Sequence, residues 1–309
     1  MASPSVLVVG AGELGTAVLG ALSNQGSRHG AKIGFLRRAE SLSSSDPKKQ
    51  EETKRLISLG AVPEAGDFVS SPIPDLVSVF KRYDVIIQCG GFGLPSGTQL
   101  RVTEAVLQAG VKRYFPWQFG VDYPAIGHGS AHELFDEMLE VRRQLRGQTA
   151  TAWTIVSTGL FMSFLLLPDF GVVDLKKRVV RALGSWETRV TVTTPEDIGT
   201  MVAEMIYVPA DTLNCVVYIG GDTISYGRLA GVLDEFYGAK FERQVWDLDS
   251  LACELRQEPG NVMLKYRNIF GAGVGVSWDM ETTLNHQRGV SLTDVAEYVR
   301  KNKESLLVV

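Results

Sequence analysis

The chain has 309 residues, of which 45% are hydrophobic and 21% charged, as in a globular protein rather than a disordered one. Its 35 acidic residues barely exceed its 31 basic ones, so no extended basic surface for nucleic acid is expected. The length allows one large domain or two closely joined ones.

Cysteine usage and hydropathy favour a protein of the reducing cytoplasm. The three cysteines are far apart and show no CxxC spacing, which argues against a disulfide framework or a zinc site. The apolar start lacks the basic residues of a signal peptide, and the apolar stretch 160–167 is too short to span a bilayer. We therefore expect a cytoplasmic protein without a metal, membrane or nucleic-acid partner.

Short β-branched segments alternate with amphipathic ones over the first 158 residues. This alternation predicts βαβ units and a parallel sheet with right-handed crossovers. The predicted strands are Val6–Val9, Lys32–Leu36, Val85–Cys89, Arg113–Phe115 and Ala152–Ser157. The predicted helices are 16–26, 46–60 (with Asp46 as N-cap and Gly60 as the stop), 98–109 and 130–146.

The pattern changes after residue 158. A proline-interrupted apolar stretch covers 160–183, a helix capped by Thr194 is expected to reach about residue 208, and a strand is expected over 214–219. We assign 1–159 to a Rossmann-type, doubly wound α/β domain to which 185–220 returns. Residues 160–184 and 221–309 are assigned to a smaller C-terminal lobe that binds the substrate.

A GxGxxG motif covers residues 10–15, between the first predicted strand and the helix that follows. In this motif Gly10 allows a tight turn, Gly12 lets the backbone approach a pyrophosphate, and Gly15 lets helix and strand pack closely. The N–H groups at the start of the helix, at Glu13 and Leu14, attract phosphates. The motif therefore predicts a dinucleotide site.

The end of the second predicted strand indicates which dinucleotide. An NAD site has an acidic residue there for the ribose 2′-hydroxyl. This sequence has Arg37 and Arg38 instead, followed by Ser41. Guanidinium and hydroxyl groups suit a 2′-phosphate, so the predicted cofactor is NADP(H). Gly90, Gly91 and Phe92 follow the next predicted strand and are expected to lie beside the cofactor as well.

Four segments resemble the isoflavone reductase/phenylcoumaran benzylic ether reductase family of NmrA-like atypical short-chain reductases, above all its fungal aromatic alcohol reductase branch. They are VLVVGAGELG at 6–15, the arginine pair, VKRYFPWQFGVD at 111–122 and VTTPEDIG at 192–199. The resemblance implies a Rossmann domain with a small lobe over the nicotinamide. It also implies NADPH as hydride donor and flat aromatic substrates. Within 111–122, Gln118 is assigned to the cofactor.

One residue departs from the family pattern. Plant members have a lysine on the helix after the segment that matches 111–122, and the matching stretch FDEMLEVRR places Met138 at that position. A thioether neither donates a proton nor stabilises an oxyanion by charge. The YxxxK pair of ordinary short-chain reductases is missing too, because Gly127 lies four residues after Tyr123.

Three explanations remain open. In the first, Tyr123, His128 or His132 supplies the proton in place of the lysine. In the second, the acceptor is a quinone methide or iminium, so electrophilic that hydride transfer needs only correct positioning. In the third, the protein binds NADP(H) without turnover, as a redox sensor does.

The favoured hypothesis is an NADPH-dependent reductase that transfers hydride to a benzylic, enone or imine carbon of an aromatic small molecule, in secondary metabolism. A non-catalytic NADP(H)-sensing regulator and a cofactor-retaining isomerase are the alternatives, and a homodimer is compatible with the sequence. Tyr123 and His128 are the candidate catalytic residues. The candidate substrate contacts are Trp117, Tyr123, Met138, Phe161 and Phe164.

Overall fold

The computed structural model describes residues 3–26, 30–208 and 211–303. These residues fall into two compact units. The first lies within Met1–Gln118, Glu137–Val156 and Ile198–Val217, and the second within Phe119–Asp136, Ser157–Asp197 and Tyr218–Val309.

Strands occur in both units. In chain order they are β1 (Val6–Val9), β2 (Ile33–Arg37), β3 (Val62–Ala65), β4 (Val85–Gln88), β5 (Arg113–Phe115), β6 (Ala152–Ser157), β7 (Leu160–Phe161), β8 (Val173–Asp174), β9 (Val179–Leu183), β10 (Arg189–Thr193), β11 (Cys215–Tyr218), β12 (Asp222–Ser225) and β13 (Glu242–Trp246).

Helices connect most of these strands, and a short 3₁₀ turn lies at Met280–Thr282. The helices are α1 (Glu13–Gly26), α2 (Ala39–Leu42), α3 (Pro47–Ser58), α4 (Ile73–Phe80), α5 (Thr98–Ala109), α6 (Tyr123–Ile126), α7 (Asp136–Arg146), α8 (Met162–Leu165), α9 (Pro195–Tyr207), α10 (Tyr226–Tyr237), α11 (Leu248–Gln257), α12 (Val262–Ala272), α13 (Leu284–Gln287) and α14 (Val295–Lys301). None of these described helices is both long and apolar enough to cross a lipid bilayer.

The described strands of the first unit form a sheet in the order β11-β6-β5-β4-β1-β2-β3. Strands β1 to β6 pair in parallel, and Val6 lies opposite Ile33 on one side and Val85 on the other. The chain runs outward from β1 through β2 to β3 and then crosses to β4 on the other side of β1. This is the Rossmann-type order, which confirms the predicted fold class and places a topological switch point between β1 and β4.

The apolar strands explain why this sheet is buried. Every residue of β1 is fully buried, as expected for a central parallel strand covered on both faces. One face packs against α4, α5 and α7 through a core of aliphatic and aromatic side chains that includes Leu7, Val9, Phe80, Ile86, Val102, Leu145 and Ile155. This core holds the carboxyl ends of β1 and β4 in place.

The second unit contains two small sheets, with strand orders β12-β10-β7 and β13-β9-β8 in its described part. The segment 185–220 was expected to return to the Rossmann sheet, but only its strand β11 does so. Strand β10 pairs with β7 and β12 instead. A buried apolar strand carries no signal of its sheet, so the sequence did not reveal this difference. Residues 119–136, assigned to the Rossmann domain from sequence, also fall in the second unit.

The helix expected over 130–146 begins only at Asp136. Ala131, His132 and Glu133 have φ angles of 45°, 54° and 60°, in the left-handed region. A right-handed helix cannot continue through three such residues, so the first part of the expected helix is a turn.

Candidate functional site

The turn after β1 is the centre of the candidate dinucleotide site. Gly10 has a φ of 95°, which glycine adopts readily and other residues only with strain. A Cβ atom at Gly10 would lie 2.7 Å from the backbone nitrogen of Gly90. The loops that follow β1 and β4 therefore touch at the carboxyl edge of the sheet, where ligands of such sheets bind.

Gly12 and Gly15 have different surroundings. A Cβ at Gly15 would overlap the carbonyl oxygen of Gly10, so only glycine lets α1 pack against the turn. A Cβ at Gly12 would meet no described heavy atom within 4 Å. The space beside Gly12 is open, as the approach of a pyrophosphate to the backbone requires.

Helix α1 begins directly at this turn, where the N–H of Thr16 donates to the carbonyl of Gly12 at 2.9 Å. The N–H groups before Thr16 lie in the first turn, which has no intrahelical acceptors and attracts phosphate. Leu14 is buried and Glu13 is exposed. Both residues are therefore suited to contribute their backbone N–H groups to this site, as the sequence predicts.

A buried polar network supports the loop after β4. The side-chain amides of Gln88 and Gln99 join at 2.6 Å, and both also donate to the carbonyl of Gly90, at 3.5 and 3.4 Å. Tyr114 donates its hydroxyl proton to Gln88. Because this network holds the carbonyl of Gly90 from the protein side, the loop has a defined position beside the turn at Gly10.

Gly91 and Phe92 complete this loop. A Cβ at Gly91 would overlap the indole of Trp117, so the ring packs directly on the loop backbone. Phe92 is half-exposed, at 50% of its surface. The structure thus brings Trp117 next to the expected cofactor loop.

Arg37 and Arg38 lie at the end of β2 and differ in their partners. Arg37 forms an ion pair with Glu52 of α3 at 2.8 Å, and its side chain is only 13% exposed. Arg38 is exposed and lies close enough to Asp67 to affect it electrostatically. Burial would raise the pKa of Asp67, but hydrogen bonds from Ser70 and Val69 and the charge of Arg38 hold it below the ordinary value.

Ser41 lies in α2, directly after the arginine pair. Its N–H donates to the carbonyl of Arg38 at 2.9 Å, and its side chain is half-buried. Both arginines and this serine therefore lie together at the carboxyl end of β2.

Gln118 is fully buried, and its amide binds α7. Its Nε2 donates to the carbonyl of Met138 at 2.8 Å, and its Oε1 accepts from Nε of Arg142 at 2.7 Å. The amide assigned to the cofactor from sequence thus anchors the helix that carries Met138. The side chain of Met138 is half-buried, and its contact with a substrate stays a prediction.

Glu137, next to Met138, was not recognised from sequence. Its carboxylate accepts from the backbone N–H groups of Gly97, Gln99 and Leu100, at 3.0, 2.7 and 3.2 Å. It therefore caps the N-terminus of α5 from a different helix. No local signal reveals this role, because the two segments are about 40 residues apart in sequence.

The candidate proton donors lie in the second unit. Tyr123 is buried, and its ring packs edge-on against Phe135 with centroids 4.8 Å apart. His128 is exposed, and its Nδ1 lies 3.7 Å from a carboxylate oxygen of Asp136. His132 is exposed as well, in the left-handed turn. The catalytic assignments of these residues remain predictions.

Tyr123 and Phe164 belong to one aromatic cluster of the second unit. Tyr266 connects them, since its ring centroid lies 5.9 Å from that of Phe135 and 5.3 Å from that of Phe164. Burial raises the pKa of Tyr266 to about 12. Phe161 does not appear among the described ring contacts of this cluster; it lies half-buried in β7, opposite Thr193 of β10.

Comparison with known proteins identifies the family. The model of the NmrA-like family matches residues 3–299. The chain belongs to the NmrA-like family. An NmrA-like family domain-containing oxidoreductase of Gibberella moniliformis is 48% identical over 96% of this chain and 98% of its own length. The phenylcoumaran benzylic ether reductase Betv6 of Betula pendula is 26% identical over 83% of this chain and 86% of its own.

Solved structures agree on the fold of this NmrA-like protein. A structure of AtPrR2 with NADP⁺ and (+)-pinoresinol has a TM-score of 0.79 at 21% identity, and covers 97% of this chain and 98% of its own. Together with the relatives, this confirms the resemblance to the isoflavone reductase-like reductases. The family model and the 48% identical oxidoreductase show that the chain is an oxidoreductase of the NmrA-like family.

Sequence reasoning missed Phe135 and Tyr266, which join the candidate residues of the NmrA-like protein into one cluster. Both are single aromatic residues on amphipathic segments, and such residues are usually core. No local pattern in the sequence distinguishes them from core residues.

Proposed function

We propose that this NmrA-like protein is an NADPH-dependent reductase of an aromatic small molecule, acting on a benzylic, enone or imine carbon in secondary metabolism. The observation that carries the proposal is the open space beside Gly12 at the start of α1, within a glycine turn that is otherwise tightly packed. The relatives that are named reductases support it. When bound, the nicotinamide supplies the hydride.

The residues of the first unit fit this cofactor. The backbone N–H groups of Gly12 and Glu13 are suited to hold the pyrophosphate at the N-terminus of α1. Arg38 is suited to hold a 2′-phosphate, since it is exposed, whereas Arg37 is shared with Glu52. The backbone of Gly90 is fixed by the glutamine network beside the turn. The ring of Phe68 fills the space where a side chain at position 90 would lie, so only glycine fits there.

The aromatic cluster of the second unit supports an aromatic substrate. The rings of Phe135 and Phe164 pack on the ring of Tyr266, with centroids 5.9 and 5.3 Å from it. Aromatic rings attract one another in this range, so a flat aromatic substrate that reaches the partly exposed rings of Phe164 and Tyr266 would be bound in the same way. Phe161, Trp117 and Met138 remain proposed substrate contacts, since each is only half-buried.

The solvent exposure of the candidate proton donors distinguishes His128 from Tyr123. The imidazole of His128 is 74% exposed, so it is open to solvent, and its Nδ1 lies 3.7 Å from the carboxylate of Asp136. Tyr123 is buried and packed on Phe135, which favours a positioning role over proton exchange with water. We propose His128 as the proton donor if the acceptor requires one.

A non-catalytic NADP(H) sensor is the second candidate function. It is favoured by Met138, which carries no acidic proton at the position where plant relatives have lysine. It is disfavoured by the aromatic cluster, since a sensor of dinucleotide redox state needs no surface for a flat ligand.

The test is transfer of deuterium from NADPH labelled at C4, on each face in separate runs, to a panel of benzylic ethers, enones, quinone-methide precursors and cyclic imines. Products are read by mass spectrometry. We expect label in a product of one acceptor class. The Gly12→Val variant serves as the matched control, because it blocks the proposed pyrophosphate site and should transfer no label. Tight NADPH binding without transfer to any acceptor would favour the sensor.

A further inference from the structure

A cleft of about 530 Å³ lies within the second unit, between the loop 126–132 and the helices α11 and α12. Its volume is in the range of pockets that enclose small organic molecules, about 300–1,000 Å³. None of the described residues that line it is acidic. Of the candidate proton donors only His132 lines the cleft, and neither the proposed donor His128 nor the aromatic cluster does. The cleft is therefore a candidate binding site separate from the residues on which the reductase proposal depends.

The floor of the cleft is apolar. Helix α11 contributes Ala252 and Leu255, three residues apart on one face, and α12 contributes Ile269 and Ala272 in the same way. Leu255 and Ile269 are buried and close the floor. The two alanines have short side chains, and so leave a slot between the helices that longer side chains would fill.

The rim of the cleft carries the guanidinium of Arg256. Arg256, in the last turn of α11, makes no hydrogen bond or ion pair with any residue in the described ranges 3–26, 30–208 and 211–303. The other polar lining groups are occupied, since Asn268 donates to two backbone carbonyls and Ser130 donates to Ile126. His132 also lines the cleft.

The loop over the cleft is held in a strained conformation. Ala131, His132 and Glu133 are all left-handed, and such strain occurs mainly where a ligand or a mechanism needs it. Two polar contacts keep it there: Nζ of Lys265 on α12 donates to the carbonyl of His132 at 3.0 Å, and the carboxylate of Asp136 accepts from Gly129 at 2.9 Å. These two hydrogen bonds fix the backbone of the loop at the rim of the cleft.

We propose that this cleft binds a small organic carboxylate with a flat apolar body. The body lies on Leu255 and Ile269 in the slot between the alanines, and the carboxylate pairs with the guanidinium of Arg256. A planar guanidinium matches a carboxylate through two parallel hydrogen bonds. A carboxylate is favoured over a phosphate monoester because one free guanidinium beside an apolar floor compensates one negative charge and not two.

The test is isothermal titration of the full chain with 3-phenylpropionate, and with 3-phenylpropan-1-ol as the uncharged analogue, both without dinucleotide. We expect saturable binding of the acid and binding of the alcohol weaker by about tenfold or more. The Arg256→Ala variant should bind the acid about tenfold more weakly than the parent does, and its affinity for the alcohol should be unchanged. Arg300→Ala is the matched control, because Arg300 is also an exposed arginine in the last turn of a helix, α14.

A second variant tests the floor independently. Ala252→Phe fills the slot and should abolish binding of both compounds while the melting temperature stays within about 2 °C of the parent. Absence of saturable binding by the parent, or equal losses in Arg256→Ala and Arg300→Ala, would overturn the proposal. Since no dinucleotide is present, its failure is separate from that of the reductase proposal, which the deuterium experiment tests.

Discussion

The guanidinium of Arg37 lies 2.8 Å from the carboxylate of Glu52, which reaches it from α3. The arginine is largely covered, at 13% exposure, whereas the glutamate is 52% exposed. The first arginine of the pair is therefore neutralised inside the protein, and its neighbour Arg38 remains exposed to solvent. From this difference we propose that the two arginines, which look equivalent in the sequence, have unequal parts in dinucleotide recognition.

Arg38→Ala should weaken NADPH binding by about tenfold or more while NADH binding changes by less than about twofold, because only the 2′-phosphate contact is lost. Arg37→Ala should have a smaller effect. Glu52→Gln should strengthen NADPH binding several-fold, since it frees Arg37 and removes a negative charge. Fluorescence titration with both dinucleotides measures the affinities of the three variants.

Glu51→Gln of the same helix is the control for the removal of a negative charge. An equal loss of affinity for NADPH and for NADH in Arg38→Ala would refute the 2′-phosphate role.

Gly12→Ala and Gly15→Ala should separate binding from folding. The added methyl group at position 12 enters open space, so the melting temperature should hardly change while dinucleotide affinity falls about tenfold or more. At position 15 it overlaps the carbonyl of Gly10, so we expect a loss of about 1–3 kcal/mol of unfolding free energy. Thermal melts and NADPH titrations of both variants check this. Unchanged NADPH affinity in Gly12→Ala would place the pyrophosphate elsewhere.

Met138→Ala should leave the rate of hydride transfer within about threefold of the parent, because a thioether takes no part in proton transfer. The hydrogen bond from Gln118 is retained, since it reaches the backbone carbonyl of Met138. Single-turnover rates with the acceptor found in the deuterium experiment measure the effect. A collapse of the rate with unchanged NADPH and acceptor binding would show that the side chain is part of the catalytic machinery.

Asp84→Asn should lower stability at neutral pH and not at low pH. The hydrogen bond from Lys112, followed by those from Ser5, lowers the pKa of Asp84 from 3.8 to about 2. A depressed folded-state pKa stabilises the protein above the ordinary pKa, and that contribution disappears as the pH falls toward 2. Because the carboxylate is partly exposed, we expect a loss of about 1–2 kcal/mol at pH 7. Urea titrations at pH 7 and at pH 2 check this, because the folded carboxylate is still mostly ionised at pH 3. An equal deficit at both pH values would mean that packing, and not charge, causes the loss.

Much of the Rossmann sheet was predictable because its signals are local. The strands at Val6–Val9, Arg113–Phe115 and Ala152–Ser157 were predicted with the bounds that the structure has. The helix capped by Asp46 begins where its sequence indicates, since the carboxylate accepts from the N–H groups of Lys48 and Lys49. Strand β3 and helix α4 were missed. In β3 three of four residues are exposed, so it has no apolar run to detect.

The candidate site was predictable where one motif contains the whole signal. The GxGxxG turn needs only the strand before it and the helix after it, and all three are adjacent in sequence. The role of Gln118 was not predictable, because its amide is bound by residues 20 and 24 positions later.

The sequence by itself determined the βαβ frame, the glycine turn and the family, because each depends on residues that are neighbours in the chain. Only the tertiary structure decided which polar side chains are bound to other parts of the protein and which face solvent. Arg113, at the start of β5, is buried and donates to Thr154, Met205 and Thr212, up to 99 residues away in sequence. Arg256 is exposed and makes no hydrogen bond or ion pair with any of the described residues. The physical reason is that burial and pairing depend on distances between segments, which a local pattern does not contain.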